Sequence, residues 1–203
     1  MVKETITWLG FMMTLPDYGR NINMNSKTKN MALIAVMTAV ICILGPLSIP
    51  IGPVPISLGT LALYLTVYIL GMKRSVVATV IYILIGLVGV PVFSGFSAGP
   101  AKLAGPTGGY IIGYIPMVII AGLFVDRYFK NYLLSIIGMV LATAVLYIIG
   151  TAWLAYSAGM TPGAAIAAGV LPFIPLDLVK IVIAAFVGSI LKTRIDSAVN
   201  GQS

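Results

Sequence analysis

Two long stretches without a charged residue constrain this chain more than any other feature. No Asp, Glu, Lys or Arg occurs from residue 31 to residue 71, and none occurs from residue 131 to residue 176. Each stretch exceeds the ~20 apolar residues that a helix needs to span a bilayer. Lipid offers no hydrogen-bond partner, so the backbone in such a stretch must pair internally. Continuous apolar runs predict helices rather than the alternating strands of a membrane barrel.

The overall composition is incompatible with a water-soluble surface. Hydrophobic residues make up 60% of the chain and charged residues 8%, whereas soluble domains carry about 25% charged residues. We therefore predict an all-α integral membrane protein with a six-helix transmembrane domain at residues 31–192. A cytoplasmic or interfacial tail (1–30) and a cytoplasmic tail (193–203) flank it. The spans are expected at 31–49, 58–72, 76–90, 110–125, 133–156 and 174–191, with a short helix at 162–170.

The positions of the basic residues predict the orientation of the chain in the membrane. With six spans, one side would carry nearly all of the basic residues, among them Lys27, Lys29, Lys73, Arg74, Arg127, Lys130, Lys192 and Arg194. The positive-inside rule makes that side cytoplasmic and places both termini there. The net charge of +7 therefore reflects orientation in the lipid bilayer and does not predict nucleic-acid binding.

The loops expected on the opposite, extracellular side are long and rich in Gly and Pro. They cover residues 45–57, 93–109 and 157–162. The run at 49–56 is too apolar to extend into water, so we expect these loops to fold back and cap a ligand pocket. Flexible linkers are the alternative interpretation.

The chain contains no histidine, and this absence excludes several kinds of catalytic site. HExxH metal sites, Ser–His dyads and Cys–His dyads all require that residue. An aspartyl protease needs two carboxylates in one site, but Asp177 is the only carboxylate within a predicted span. We therefore expect a protein that is not an enzyme and that holds no metal or cofactor.

Two ionisable residues in the last span form the strongest candidate site. Asp177 and Lys180 are three residues apart and therefore share one face of a helix. Ionisable groups in a span are costly and usually face a cavity or a partner. Asp177 would accept hydrogen bonds from substrate N–H groups, and Lys180 would donate to a carbonyl or carboxylate. A self-neutralising ion pair that only fixes helix packing is the alternative.

A Gly-rich turn precedes the fourth span. Its sequence, GPTGGY at 105–110, lacks the GxxxxGK[ST] pattern of a phosphate loop, and that pattern occurs nowhere in the chain. Free N–H groups at this helix start, with Thr107 and Gly108, would favour an anion in the pocket. A simple helix-start turn in which Thr107 is the N-cap is the alternative.

Small and aromatic residues supply further candidates. Ala32, Ala35 and Ala39 form a small-residue stripe in the first span. Such a stripe permits close helix approach, either within the bundle or to another membrane subunit. Aromatic residues near the extracellular side could anchor the chain at the interface or wall the pocket. The candidates for the pocket wall are Phe93, Tyr110, Trp153 and Tyr156.

Three of these segments in order resemble the BioY family, the biotin-specific S components of energy-coupling factor (ECF) transporters. They are GPVPI at 52–56, the turn at 105–110, and PFIPLDLVK at 172–180, and the resemblance extends over 31–192. One departure is Gly59, where many relatives carry Gln.

The resemblance implies a function and a set of partners. It implies six helices in the plasma membrane of a bacterial cell and high-affinity binding of biotin from outside. It also implies a membrane coupling (T) protein and two ATPase subunits, which hydrolyse the ATP that this chain does not bind. The family's ligand-binding Asp and Lys map to Asp177 and Lys180, and its AxxxA contact with the coupling protein maps to Ala35 and Ala39. An S component for another vitamin, a membrane enzyme and a scaffold subunit are the alternative functions.

Overall fold

The structure, a computed structural model, describes residues 26–50 and 52–200. Most of the predicted N-terminal tail and the end of the C-terminal tail lie outside these residues. The chain divides into two units between Ala32 and Leu33, and the site described below lies wholly in the second. The elements are α1 (Ser26–Leu44), β1 (Ser48–Ile49), β2 (Ile56–Ser57), α2 (Gly59–Leu70), α3 (Met72–Leu87), α4 (Pro100–Ala104), α5 (Gly108–Tyr128), α6 (Tyr132–Ala158), α7 (Pro162–Gly169) and α8 (Ile174–Asn200).

The described chain is nearly all helical, as predicted, and four of its helices are long and apolar enough to cross a membrane. These segments are Lys27–Leu44, Gly108–Tyr128, Tyr132–Ala158 and Ile174–Ile195. The other two predicted spans are α2, with 12 residues, and α3, with 16 residues. At 1.5 Å per residue they extend only about 18 and 24 Å, less than the ~30 Å hydrocarbon core of a bilayer.

The first and last predicted spans have different ends in the structure. We expected the first span to reach residue 49, but α1 ends at Leu44. Gly45 and Pro46 follow, and a proline disfavours the helical conformation in the residue before it. Residues 48–49 instead pair antiparallel with residues 56–57, so the first loop is a short β-hairpin. The last helix continues beyond residue 191 to Asn200.

The short helix α2 lies at the centre of the bundle. Leu63, Tyr64, Val67 and Tyr68 are all fully buried. Tyr64 Oη donates to the Met139 carbonyl at 3.1 Å, which satisfies a polar group that burial would otherwise penalise. Nine of the twelve residues of α2 are buried and the other three are half-buried, so its apolar sequence reflects a core helix.

Close approach of α5 and α6 depends on glycine. A Cβ at Gly150 on α6 would overlap the ring of Tyr110 on α5, and a Cβ at Gly138 would overlap Phe124. Small residues let helix backbones approach closely where lipid supplies no hydrophobic driving force. The contact at Gly150 fixes the ring of Tyr110 next to the site described below.

Candidate ligand-binding site

Asp177 and Lys180 form a buried ion pair at the start of α8. Lys180 Nζ lies 2.9 Å from Asp177 Oδ1, and the two residues are 5% and 7% exposed. Asp177 belongs to the first helical turn, where the helix dipole favours a negative charge. A buried pair is tolerated only when further hydrogen bonds compensate both charges.

Those further bonds come from three other elements. Lys180 Nζ also donates to the Ser57 carbonyl at 2.7 Å and to Thr60 Oγ1 at 3.2 Å, so its three N–H groups are all used. Tyr147 Oη donates to Asp177 Oδ2 at 2.7 Å, and Thr60 Oγ1 donates to Asp177 Oδ1 at 3.3 Å. The pair thus joins the hairpin, α2 and α6 to α8.

A cavity opens against this ion pair. Its volume is about 50 Å³, enough for a few waters at roughly 10–15 Å³ each. Polar groups lie at one end, and apolar and aromatic groups form the remaining wall. The lining residues are Val54, Pro55, Ser57, Thr60, Ser94, Thr107, Tyr110, Ile111, Tyr114, Leu146, Tyr147, Phe173, Asp177 and Lys180.

The apolar hairpin folds inward over this cavity. Val54 and Ile56 are buried, and Val54 and Pro55 line the cavity. The carbonyl of Ser57 binds Lys180 at 2.7 Å. The hairpin is therefore held by both apolar packing and one charge-assisted hydrogen bond.

Thr107 lies at the N-cap position of α5, but its side chain does not cap the helix. Its backbone is in the right-handed helical region, with φ −91° and ψ −4°, whereas a capping residue normally has β-region angles. Thr107 is 6% exposed, and within residues 26–50 and 52–200 its Oγ1 has no hydrogen-bond partner. A buried hydroxyl without a partner is costly, and this one lines the cavity.

The structure brings four of the predicted ligand residues together at the cavity: Asp177, Lys180, Thr107 and Tyr110. Tyr110 contributes its ring, because its hydroxyl is already bound. That hydroxyl donates to the Gly169 carbonyl at 2.8 Å and lies 3.1 Å from Thr151 Oγ1.

The other four predicted ligand residues do not line the cavity. Gly108 packs against the backbone of Leu103. Phe93 is fully buried, with its ring edge-on to Tyr82 at 5.7 Å. Trp153 Nε1 donates to the Gly105 carbonyl at 2.9 Å and so fixes the turn before α5. Tyr156 is 83% exposed, as expected of an interfacial anchor.

Sequence reasoning missed several lining residues, above all Tyr147. It lies in the middle of α6 and binds Asp177. A tyrosine far from both ends of a span cannot reach the membrane interface, so its hydroxyl must find a partner inside the protein. That signal also applies to Tyr64 and to Tyr114.

The small-residue stripe is exposed. Ala35 and Ala39 lie on the opposite side of α1 from the buried Met37 and Ile41, as 100° per residue requires. Ala32, in the first unit, is also exposed. The sequence left open the alternative that Ala35 and Ala39 pack inside the bundle. Their exposure contradicts that alternative.

Comparisons with known proteins identify the family. The profile of the BioY family matches residues 19–197. The probable biotin transporter BioY of Pyrococcus horikoshii is 39% identical, over 82% of this chain and 98% of its own length. The biotin transporter BioY2 of Lactococcus lactis subsp. cremoris is 34% identical, over 81% and 90%.

A solved structure has the same fold. It is the crystal structure of the S-component for biotin from an ECF-type ABC transporter, with a TM-score of 0.78 and 28% identity. The match covers 85% of this chain and 95% of that chain. The resemblance that the three sequence segments indicated is thereby confirmed, and the chain belongs to the BioY family of membrane transport proteins.

Proposed function

We propose that this protein is the biotin-binding S component of an ECF-type vitamin transporter. The observation that carries the proposal is the buried Asp177–Lys180 pair at the polar end of a cavity with aromatic walls. The relatives named above are biotin transporters, and none is an enzyme. A carboxylate, an ammonium group and apolar walls match a ligand with a ureido head, an apolar body and an acid tail.

The ureido head of biotin would bind at the ion pair. It carries two N–H donors and one carbonyl, so Asp177 and the Ser57 carbonyl would accept its N–H groups. Lys180 would donate to its carbonyl. The ligand must take over bonds that Lys180 makes to Ser57 and Thr60.

The acid tail would bind at the start of α5. Thr107 Oγ1 is a buried hydroxyl with no partner among the described residues, and a helix N-terminus favours an anion. The rings of Tyr110 and Tyr114 line the wall between these two ends. A volume of about 50 Å³ is too small for the whole ligand, so entry requires the walls to move apart.

The membrane topology follows from the same proposal. All six apolar helices α1, α2, α3, α5, α6 and α8 would occupy the membrane, with both termini in the cytoplasm. The hairpin and α4 would then lie outside, above the cavity, in the plasma membrane of a bacterial cell. Support comes from most of the basic residues, among them Lys73, Arg127 and Lys192, which lie towards the opposite ends of these helices.

The partners would be a membrane coupling (T) protein and two ATPase subunits. The chain carries no GxxxxGK[ST] sequence, so it would bind no ATP and contain no cofactor of its own. The exposed stripe at Ala35 and Ala39 would allow a helix of the coupling protein to approach closely.

Equilibrium binding of radiolabelled biotin to the purified full chain in nanodiscs tests the proposal. We expect saturable binding without ATP, displaced by unlabelled biotin and not by riboflavin or thiamine. Displacement by one of those vitamins would instead identify an S component for another substrate. No binding of any of the three would overturn the proposal.

Reconstitution of the lone chain in liposomes tests the energy source. We expect binding but no accumulation of biotin, with or without an imposed proton gradient, because Asp177, the one buried carboxylate among the side chains that the structure describes, already pairs with Lys180. Accumulation driven by the gradient would show a self-sufficient transporter.

A further inference from the structure

A second, larger cavity lies on the outside of the bundle between α6 and α7. Its volume is about 580 Å³. We call it the α6–α7 groove and define it by its main lining residues, Ala144, Ile148, Ala152, Ala155, Pro162 and Ile166. The four α6 residues form one stripe along that helix, since residues three and four apart lie on the same face.

The length and depth of the groove match one leaflet of a bilayer. Ala144 and Ala155 are eleven residues apart, or about 16 Å at the rise of an α-helix. Half of the ~30 Å hydrocarbon core is about 15 Å. The end at Ala155 lies next to Trp153 and Tyr156 in sequence, whose rings are 6.1 Å apart, and such aromatic residues mark the membrane interface.

The chemistry of the groove excludes most occupants. It lies within the charge-free stretch 131–176, and its lining is almost entirely aliphatic. Its α6 side belongs to the exposed apolar surface of that helix, where Ala144, Ile148 and Ala152 are all exposed. Ile148 is 69% exposed and projects from the middle of the stripe. It would hold a partner helix away from Ala144 and Ala152, whereas a flexible chain can bend around it.

We propose that the α6–α7 groove binds one acyl chain of a bilayer phospholipid, which packs against the ring of Tyr147. Tyr147 lines the groove and also lines the ligand cavity on its other side. Its hydroxyl donates to Asp177 Oδ2 at 2.7 Å. The ring therefore separates lipid from ligand, and the acyl chain holds the hydroxyl on Asp177. This coupling, unlike occupancy of the groove, rests on the proposed binding of biotin at Asp177.

Photo-crosslinking tests the occupancy. The probe is a phosphatidylcholine with a diazirine in the middle of one acyl chain, incorporated into nanodiscs with the full chain. We expect labelling to concentrate on residues 144–155 and 162–166. Ala152→Phe, which fills the groove, should reduce that labelling several-fold, and Ala155→Phe provides a second filler in case the first variant does not fold.

The matched control is Leu84→Phe. Leu84 is an exposed residue of α3 outside the groove, so labelling of the groove should stay unchanged. Even labelling of all exposed apolar faces would overturn the proposal. So would loss of labelling when the purified coupling protein is added, because the groove would then be a protein interface.

The coupling between lipid and ligand is tested by measuring the biotin affinity of protein that has been stripped of lipid in detergent. We expect the affinity of the unmodified protein to fall several-fold and to recover when phosphatidylcholine is added. In Ala152→Phe the phenyl ring takes the place of the acyl chain, so added lipid should change the biotin affinity little. An affinity of the unmodified protein that does not depend on lipid would overturn the coupling. If biotin fails to bind under any condition, the proposed function fails while the crosslinking result stands.

Discussion

The two ends of the bundle each carry an aspartate, one exposed and the other buried. Near the basic end, Asp126 is exposed and its Oδ2 accepts a hydrogen bond from the Met72 backbone N–H at 2.9 Å. At the other end, Asp177 is buried against Lys180. An exposed carboxylate keeps its hydration and contributes little, whereas a buried one depends on every partner it has. Position in the bundle, more than residue type, makes Asp177 and not Asp126 the proposed ligand residue.

The sharpest test of this comparison is the same substitution at both ends. Asp177→Asn should weaken biotin binding by about 2–5 kcal/mol, or roughly 30- to 5,000-fold, because a buried charged partner is lost. Asp126→Asn should leave the affinity unchanged, since the amide oxygen can still accept from Met72. Equilibrium binding to folded protein measures both.

Lys180→Ala provides the complementary variant, with an effect of similar size. Its control is Lys73→Ala, at an exposed position. If folded Asp177→Asn and Lys180→Ala both bind biotin with full affinity, the pair does not contact the ligand and serves only to fix helix packing.

Tyr147→Phe should have the next largest effect. It removes one hydrogen bond to a charged acceptor, worth about 1.5–3 kcal/mol or roughly 10- to 150-fold in affinity. Tyr156→Phe is the control, because that side chain is exposed. If the two variants bind biotin equally well, Tyr147 has no part in positioning Asp177.

Thr107→Val should have a smaller effect and should separate binding from stability. Loss of one hydrogen bond to the ligand costs about 1 kcal/mol, or roughly fivefold in affinity. The free protein should be equally or more stable to heat, because a buried hydroxyl without a partner is removed. A lower melting temperature with unchanged affinity would mean that the hydroxyl serves the fold instead.

Ala39→Leu should leave biotin affinity unchanged and abolish biotin uptake by cells. The added bulk would hold a partner helix away from the exposed stripe on α1. Val77→Leu, at an exposed position on α3 and therefore outside the stripe on α1, should support normal uptake. Copurification with the coupling protein measures the contact directly, and normal copurification of Ala39→Leu would contradict the assignment.

Helices were predictable because lipid leaves the backbone few choices, and long apolar runs are easy to recognise. The hairpin was not, because two strands of only two residues each, 48–49 and 56–57, have no readable period. Asp177 and Lys180 were identified because charge inside a span is costly. Tyr147 was missed because an aromatic residue in an apolar run is also suited to contact lipid. The Trp153 ring was expected in the pocket wall, but its N–H is used to fix the turn at Gly105.

Under the proposed binding mode, the bonds that Lys180 makes within the protein would also limit the speed of recognition. Its three N–H groups are already given to Asp177, Ser57 and Thr60. A ligand that arrives at the cavity would meet an occupied donor, and association would wait until Lys180 releases one acceptor. We therefore expect capture to be slower than diffusion and to accelerate steeply with temperature. Release should depend instead on the bonds that Lys180 makes to the ligand, because its internal acceptors lie ready to take the ammonium group back.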